Sequence, residues 1–178
     1  MTVFLSGGAK CGKSALAQNI AVKLAAGEML CYVATMIPTG AEDDARIRRH
    51  LQDREGMGFE TIECFRGICS IADPAGTFLV DNITSLMQNA LFPADRGYET
   101  DLPGAMDCAR ELAAFAGCVR NAVFVSDYIY SDAERYSETT ELYRKCLADA
   151  DRMLAGICDV VIEVSAGIPI IHKGAISL

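Results

Sequence analysis

The chain has 178 residues, 51% of them hydrophobic and 22% charged, with a net charge of -8. That length buries roughly 70% of the unfolded surface around a single core, so one domain spanning residues 1–178 is expected. The negative balance argues against a broad electrostatic grip on nucleic acid, and no run nears the roughly 20 apolar residues of a membrane span.

The first apolar run, Val3 to Leu5, gives way at once to glycines, so nothing reads as a leader and the cytoplasm is the default location. Eight cysteines are scattered without a C-x-x-C pair, and only His50 and His172 accompany them. That spacing suits neither a metal site nor a disulfide framework, and the thiols read as reduced and mostly buried.

In chain order, strand-like apolar runs fall at residues 2–6, 29–34, 59–64, 77–80, 122–125, 160–164 and 169–172. Helical patterns fall between them at 13–26, 42–54, 83–91, 103–116 and 138–155. Short runs apolar on both faces suit strands covered by helices on each side. The alternation predicts an α/β fold with a mostly parallel sheet flanked by helices. Only "SAGI" separates the last two strands, which predicts a C-terminal antiparallel hairpin. The segment "FPADRGYETDLPG" reads as a long, flexible loop.

The stretch "GGAKCGKS" fits the phosphate-loop template G-x-x-x-x-G-K-S/T at Gly7, Gly12, Lys13 and Ser14, between a strand and an Ala-rich helix. This makes the fold P-loop NTPase-like, with Gly7, Gly8, Ala9, Lys10, Cys11, Gly12, Lys13 and Ser14 as the nucleotide cradle. Glycines let backbone N–H groups curl around phosphate, and the helix directs its positive end at them. Lys13 is expected on the β- and γ-phosphates and Ser14 on Mg²⁺. Asp81 closes the apolar run "TFLV", as a second magnesium carboxylate does; capping the next helix is its other available role.

Glu42, Arg46, Arg49 and His50 fall at helical spacing on one face, beside an apolar stripe of Ile47 and Leu51. An imidazole beside guanidinium groups suits a nucleophile next to a gripped phosphate. Taken alone, a histidine on a charged helix reads as a solvated surface residue.

The blocks "FLSGGAKCGKS", "YVAT", "EDDARIRRH", "LVDNITSLMQN" and "VVIEVSAGIPIIHKG" resemble, in order and spacing, the adenosylcobinamide kinase/adenosylcobinamide-phosphate guanylyltransferase family of cobalamin biosynthesis. The R-I-x-x-H motif, here Arg46, Ile47 and His50, is the specific element. The resemblance implies a bifunctional enzyme acting on a corrinoid, first cobinamide and then cobinamide phosphate, with GTP and ATP as nucleotide substrates. It implies phosphorylation of the cobinamide hydroxyl, then attack of His50 on the α-phosphate of GTP, then GMP transfer to cobinamide phosphate. It also places Ala34, Thr35, Met36, Arg54, Glu63 and Asp81 around the nucleotide, Glu63 toward a guanine edge, and implies a homo-oligomer, a trimer.

The match departs in places. Leu51 follows His50 where the family has Arg, Glu55 replaces a proline, and Phe59 stands for a tryptophan. After Val125 and Ser126, the residues Asp127, Tyr128, Ile129 and Tyr130 replace Asn-Glu-Val-Gly, and a later Asn-Gln pair is gone. Substrate contacts are expected in that loop. The alternatives to full bifunctionality are a kinase-only homologue and a non-catalytic GTP-sensing protein.

Overall fold

The computed structural model describes residues 1–177. Its strands are β1 (Thr2–Gly7), β2 (Leu30–Ala34), β3 (Glu60–Glu63), β4 (Thr77–Asp81), β5 (Asn121–Asp127), β6 (Val160–Ser165) and β7 (Ile168–Lys173). They form one sheet in the order β3-β2-β4-β5-β1-β6-β7, in which the first six strands are parallel. The β6–β7 pair is antiparallel, as the short connection demands. The helices are α1 (Lys13–Ala25), α2 (Ala41–Asp53), α3 (Ile83–Leu91), α4 (Leu102–Cys118) and α5 (Glu138–Ile157).

Side chains alternate across each strand, so one sequence feeds two cores. Val3, Leu5, Val123 and Val125 face α1 and meet Ala17, Ile20 and Ala21. Phe4, Phe78 and Phe124 point the other way, onto Leu86 of α3, Leu112 and Phe115 of α4 and Leu147 of α5. Caps fix where the helices begin: Asn82 accepts from Ser85 N, Asp101 from Gly104 N and Ser137 from Thr140 N.

Three sequence expectations change. The apolar stripe of Ile47 and Leu51 finds no core, since α2 buries no residue and Leu51 is 47% exposed. Of the cysteines, Cys31, Cys64, Cys108 and Cys158 are buried, while Cys69 and Cys118 are exposed; all eight are free. The segment read as a flexible loop contains a short 3-10 turn at Ala94–Arg96 and an Arg96–Asp101 ion pair at 2.7 Å. Asp101 there serves two partners, the guanidinium and the α4 N-terminus.

Phe115 is fully buried, with ring centroids 5.2 Å from Phe78 and 6.4 Å from Phe124. Phe115→Ala is expected to destabilise the fold by about 3–5 kcal/mol, read as a lower urea midpoint with the slope unchanged.

Candidate active site

The carboxyl ends of β1, β4 and β5, the start of α1 and the inner face of α2 enclose a cleft of roughly 590 Å³. The phosphate loop forms its floor. Gly12 adopts φ 94°, the left-handed conformation glycine favours, and leads directly into α1. A Cβ on Gly7 would lie 2.5 Å from Val164 O, so β6 leaves room there only for hydrogen. The β6–β7 turn braces the loop from outside, where Gly167 N donates to Cys11 O at 3.1 Å.

Lys13 is only 5% exposed. Its Nζ donates to Gly7 O at 3.0 Å, Gly8 O at 2.6 Å and Asp127 Oδ1 at 2.7 Å, three oxygen acceptors for three ammonium protons, with Cys11 Sγ a weaker contact at 3.6 Å. Asp127 accepts from Asn82 Nδ2 through its other oxygen at 3.0 Å, and its backbone N–H donates to Thr84 Oγ1. Asn82, rather than Asp81, caps α3, which leaves Asp81 facing the cleft.

Asp81 is held from behind. Tyr32 donates its hydroxyl to Asp81 Oδ2 at 3.0 Å, and Arg54 stacks on the Tyr32 ring at 3.9 Å while donating to Thr61 Oγ1. Burial, and then the Asp81 charge, push the Tyr32 hydroxyl well above its ordinary range, so it remains a donor. Arg54 is itself buried, and desolvation lowers its pKa. The structure thus puts Arg54 behind Asp81 and outside the lining of this cleft.

The other sequence-designated residues divide between two places. Ala9, Lys10, Cys11, Gly12, Lys13 and Ser14 line the phosphate cleft, and Arg46, His50 and Asp81 line it too. Arg49 and Glu42 join them from α2. His50 Nδ1 is shut off from solvent with no hydrogen-bond partner. Met36 and Glu63 line a second cleft of roughly 620 Å³, with Phe65, Gln88, Asn89 and Phe92. Residues 36–43 serve both clefts, Met36, Ile37 and Thr39 the second and Glu42 and Asp43 the first. Ala34 and Thr35 are structural neighbours: Ala34 O accepts from Cys64 N, and the buried Thr35 hydroxyl bonds both the N–H and C=O of Asn82.

The residues are those of a phosphoryl-transfer site: a lysine and serine at a phosphate loop, a strand-end carboxylate, two arginines and an imidazole. Among the described residues no group of three or more His, Cys, Asp or Glu forms a metal cage. Ser14 and Asp81 instead fit the sparse protein ligation of Mg²⁺, which takes its remaining ligands from phosphate and water.

The sequence matches the family described as cobinamide kinase / cobinamide phosphate guanyltransferase over residues 3–171. The chain belongs to this family. Its activity is accordingly the bifunctional one: phosphorylation of cobinamide and guanylyl transfer to cobinamide phosphate in cobalamin biosynthesis, with nucleoside triphosphates as substrates. No curated protein matches the chain. Among solved structures it is similar to an ATPase from the type III secretion system of pathogenic bacteria, with TM-score 0.56 and 12% identity, covering 92% of this chain and 51% of that one. It is also similar to a Pyrococcus horikoshii OT3 protein, with TM-score 0.53 and 10% identity, covering 97% and 86%. At those identities the likeness concerns the fold.

Asp127 was not among the site residues the sequence indicated, and its only sequence signal was the departure from Asn at that position. Behind it lies a buried acid, also unforeseen. Asp151 is 3% exposed and accepts from Ser126 Oγ at 2.9 Å and Tyr130 OH at 2.8 Å through one oxygen, leaving Oδ1 without a partner. Burial raises its carboxyl to about 6, the two hydroxyls oppose that rise, and the Asp127 charge adds to it. An unfolded chain releases this proton near pH 3.9, at about the ordinary Asp value. The folded state therefore gains from Asp151 below about pH 4 and loses that gain as pH rises through about 6. The loss is on the order of 2–3 kcal/mol. Asp151→Asn is expected to flatten the decline in urea midpoint between pH 4 and pH 7; a wild-type-like slope in the variant would contradict this.

Proposed function

We propose that the cleft beside the phosphate loop performs guanylyl transfer through His50 and phosphoryl transfer against Lys13. The observation that carries this reading is that α2 and the phosphate loop, 28 residues apart between Lys13 and Ala41, present His50 and Lys13 to one cleft. Backbone N–H groups of residues 7–14 cradle the phosphates, and Lys13 turns to the β- and γ-phosphates. Arg46 and Arg49 add positive charge where the α-phosphate must sit. Ser14 and Asp81 hold Mg²⁺, which supplies charge neutralisation on the phosphates when bound.

In the guanylyl step an imidazole nitrogen of His50 attacks the α-phosphorus of GTP. Nε2 is that nitrogen, because Nδ1 is closed to solvent. The N–P bond forms as the α–β P–O bond breaks, and pyrophosphate leaves with the electron pair. A phosphate oxygen of cobinamide phosphate then attacks the same phosphorus and frees the imidazole. Glu63 accepts hydrogen bonds from the guanine edge in the second cleft, whose volume falls within the range of roughly 300–1,000 Å³ typical of small-molecule pockets. ATP and GTP both serve as candidate kinase donors.

The protein acts as a homo-oligomer, a trimer, in the cytoplasm. Exposed Ile168, Ile170 and Ile171 on the free edge strand β7 support the first as apolar surface of the kind that interfaces cover. Eight free thiols support the second.

Incubation with GTP and Mg²⁺ is expected to add one GMP to the intact protein mass, with the adduct absent in His50→Ala and released by mild acid, as a P–N bond should be. A folded, GTP-binding wild type with no adduct would sink the histidine route and leave the kinase-only reading. Lys13→Ala is expected to lower kinase kcat at least 10²-fold, the scale of losing a transition-state charge partner; kcat within tenfold of wild type would remove Lys13 from the reaction.

A further inference from the structure

We propose that Asp127 is the catalytic base of the kinase step, accepting the proton of the attacking cobinamide hydroxyl once the nucleotide draws Lys13 away. This rests on the phosphate placement against Lys13 given above.

The position of Asp127 is set by the sheet. β5 lies directly beside β1, and Asp127 is in register with Gly7, the first glycine of the phosphate loop. Asp81 stands one strand further out, on β4, and is held by Tyr32. Of the other acids lining the cleft, Glu42 and Asp43 belong to the first turn of α2, and Asp43 already accepts from the Thr39 N–H and hydroxyl. Asp127 is the acid in contact with Lys13, and its side chain is 21% exposed.

The charge balance supplies the rest. In the free protein the Asp127 carboxylate neutralises a buried ammonium. When Lys13 moves to the phosphates, Oδ1 loses its partner while Asn82 still steadies Oδ2. A carboxylate left beside an incoming γ-phosphate is electrostatically unfavourable, and uptake of a proton removes that penalty. An asparagine in this place would hold Lys13 without creating any such demand. The step balances as follows: the hydroxyl oxygen bonds to the γ-phosphorus, its proton passes to Asp127 Oδ1, and the bond from γ-phosphorus to the bridging oxygen breaks with its electron pair on the nucleoside diphosphate. Return of Lys13 on product release expels the proton to solvent.

The test uses purified wild type, Asp127→Asn and Asp127→Glu with cobinamide, ATP or GTP, and Mg²⁺. Asp127→Asn keeps the shape and an acceptor for Lys13. It is expected to lower kinase kcat by about 10²–10⁴-fold, the scale of losing a general base, while nucleotide KM stays within threefold. Asp127→Glu, which restores a carboxylate, is expected to regain at least tenfold of that loss. An Asp127→Asn enzyme within tenfold of wild type overturns the proposal, and so does a loss that excess Mg²⁺ repairs, because that identifies a metal carboxylate. Absence of cobinamide phosphorylation by wild type itself would instead strike the activity on which the proposal rests.

Discussion

The buried ammonium of Lys13 constrains everything around it. Taking such a charge out of water costs several kcal/mol unless its donors are met, and here all three are: two by carbonyls of the loop itself and one by Asp127. The loop therefore closes around its own lysine, which fixes its curvature before any phosphate arrives. Asp127 passes the constraint outward. It bonds Asn82, which caps α3 and is clasped by the Thr35 hydroxyl. One charge thus ties together the ends of β1, β5, β4 and β2.

Helix α2 stands outside that network. It buries no side chain, and its entry is held by the Thr39–Asp43 pair on the surface. Elements with few buried contacts open at low free energy, so the wall that carries Arg46, Arg49 and His50 is the part of the cleft best able to adjust to a ligand. The rigid part carries Lys13 and the phosphate loop, and the adjustable part carries His50. This division suits an enzyme of this family, which must admit both a nucleotide and a bulky corrinoid substrate.

The sheet, its hairpin and the phosphate loop were legible because each is written locally: apolar runs of strand length, a four-residue connection, and glycines at fixed offsets. What was not legible depends on distant partners. Lys13 and Asp127 lie 114 positions apart in sequence, and no local pattern announces their contact. Arg54 has the sequence position of a nucleotide contact, yet it is buried on Tyr32, because a guanidinium stacks on an aromatic face as readily as it grips phosphate. The capping role open to Asp81 falls to Asn82 instead, a single residue of register that propensity does not resolve. The stripe of Ile47 and Leu51 had helical spacing but no sheet surface to meet.

The same dependence on distant partners explains the segment after β5, where the chain leaves its family pattern. The three polar replacements there each have a partner elsewhere: Asp127 with Lys13, Tyr130 with Asp151, and Tyr128 with Glu163, whose other oxygen meets His172. The tyrosine hydroxyls are thereby anchored to α5 and β6, so these residues secure the loop to the scaffold. Arg144 fastens the following stretch through the Asp132 and Glu134 carbonyls and the Tyr136 ring. A buried charge demands a donor and a buried hydroxyl an acceptor, and these partners lie on three different elements, α1, α5 and β6. The departures are therefore a coupled set, in which the acid at 127 is kept by the lysine and the two tyrosines by the acids they bond. Reverting Tyr130 alone would take a donor from the buried Asp151, whereas asparagine at 127 would still accept from Lys13, so the cost of reversion falls unevenly across the set.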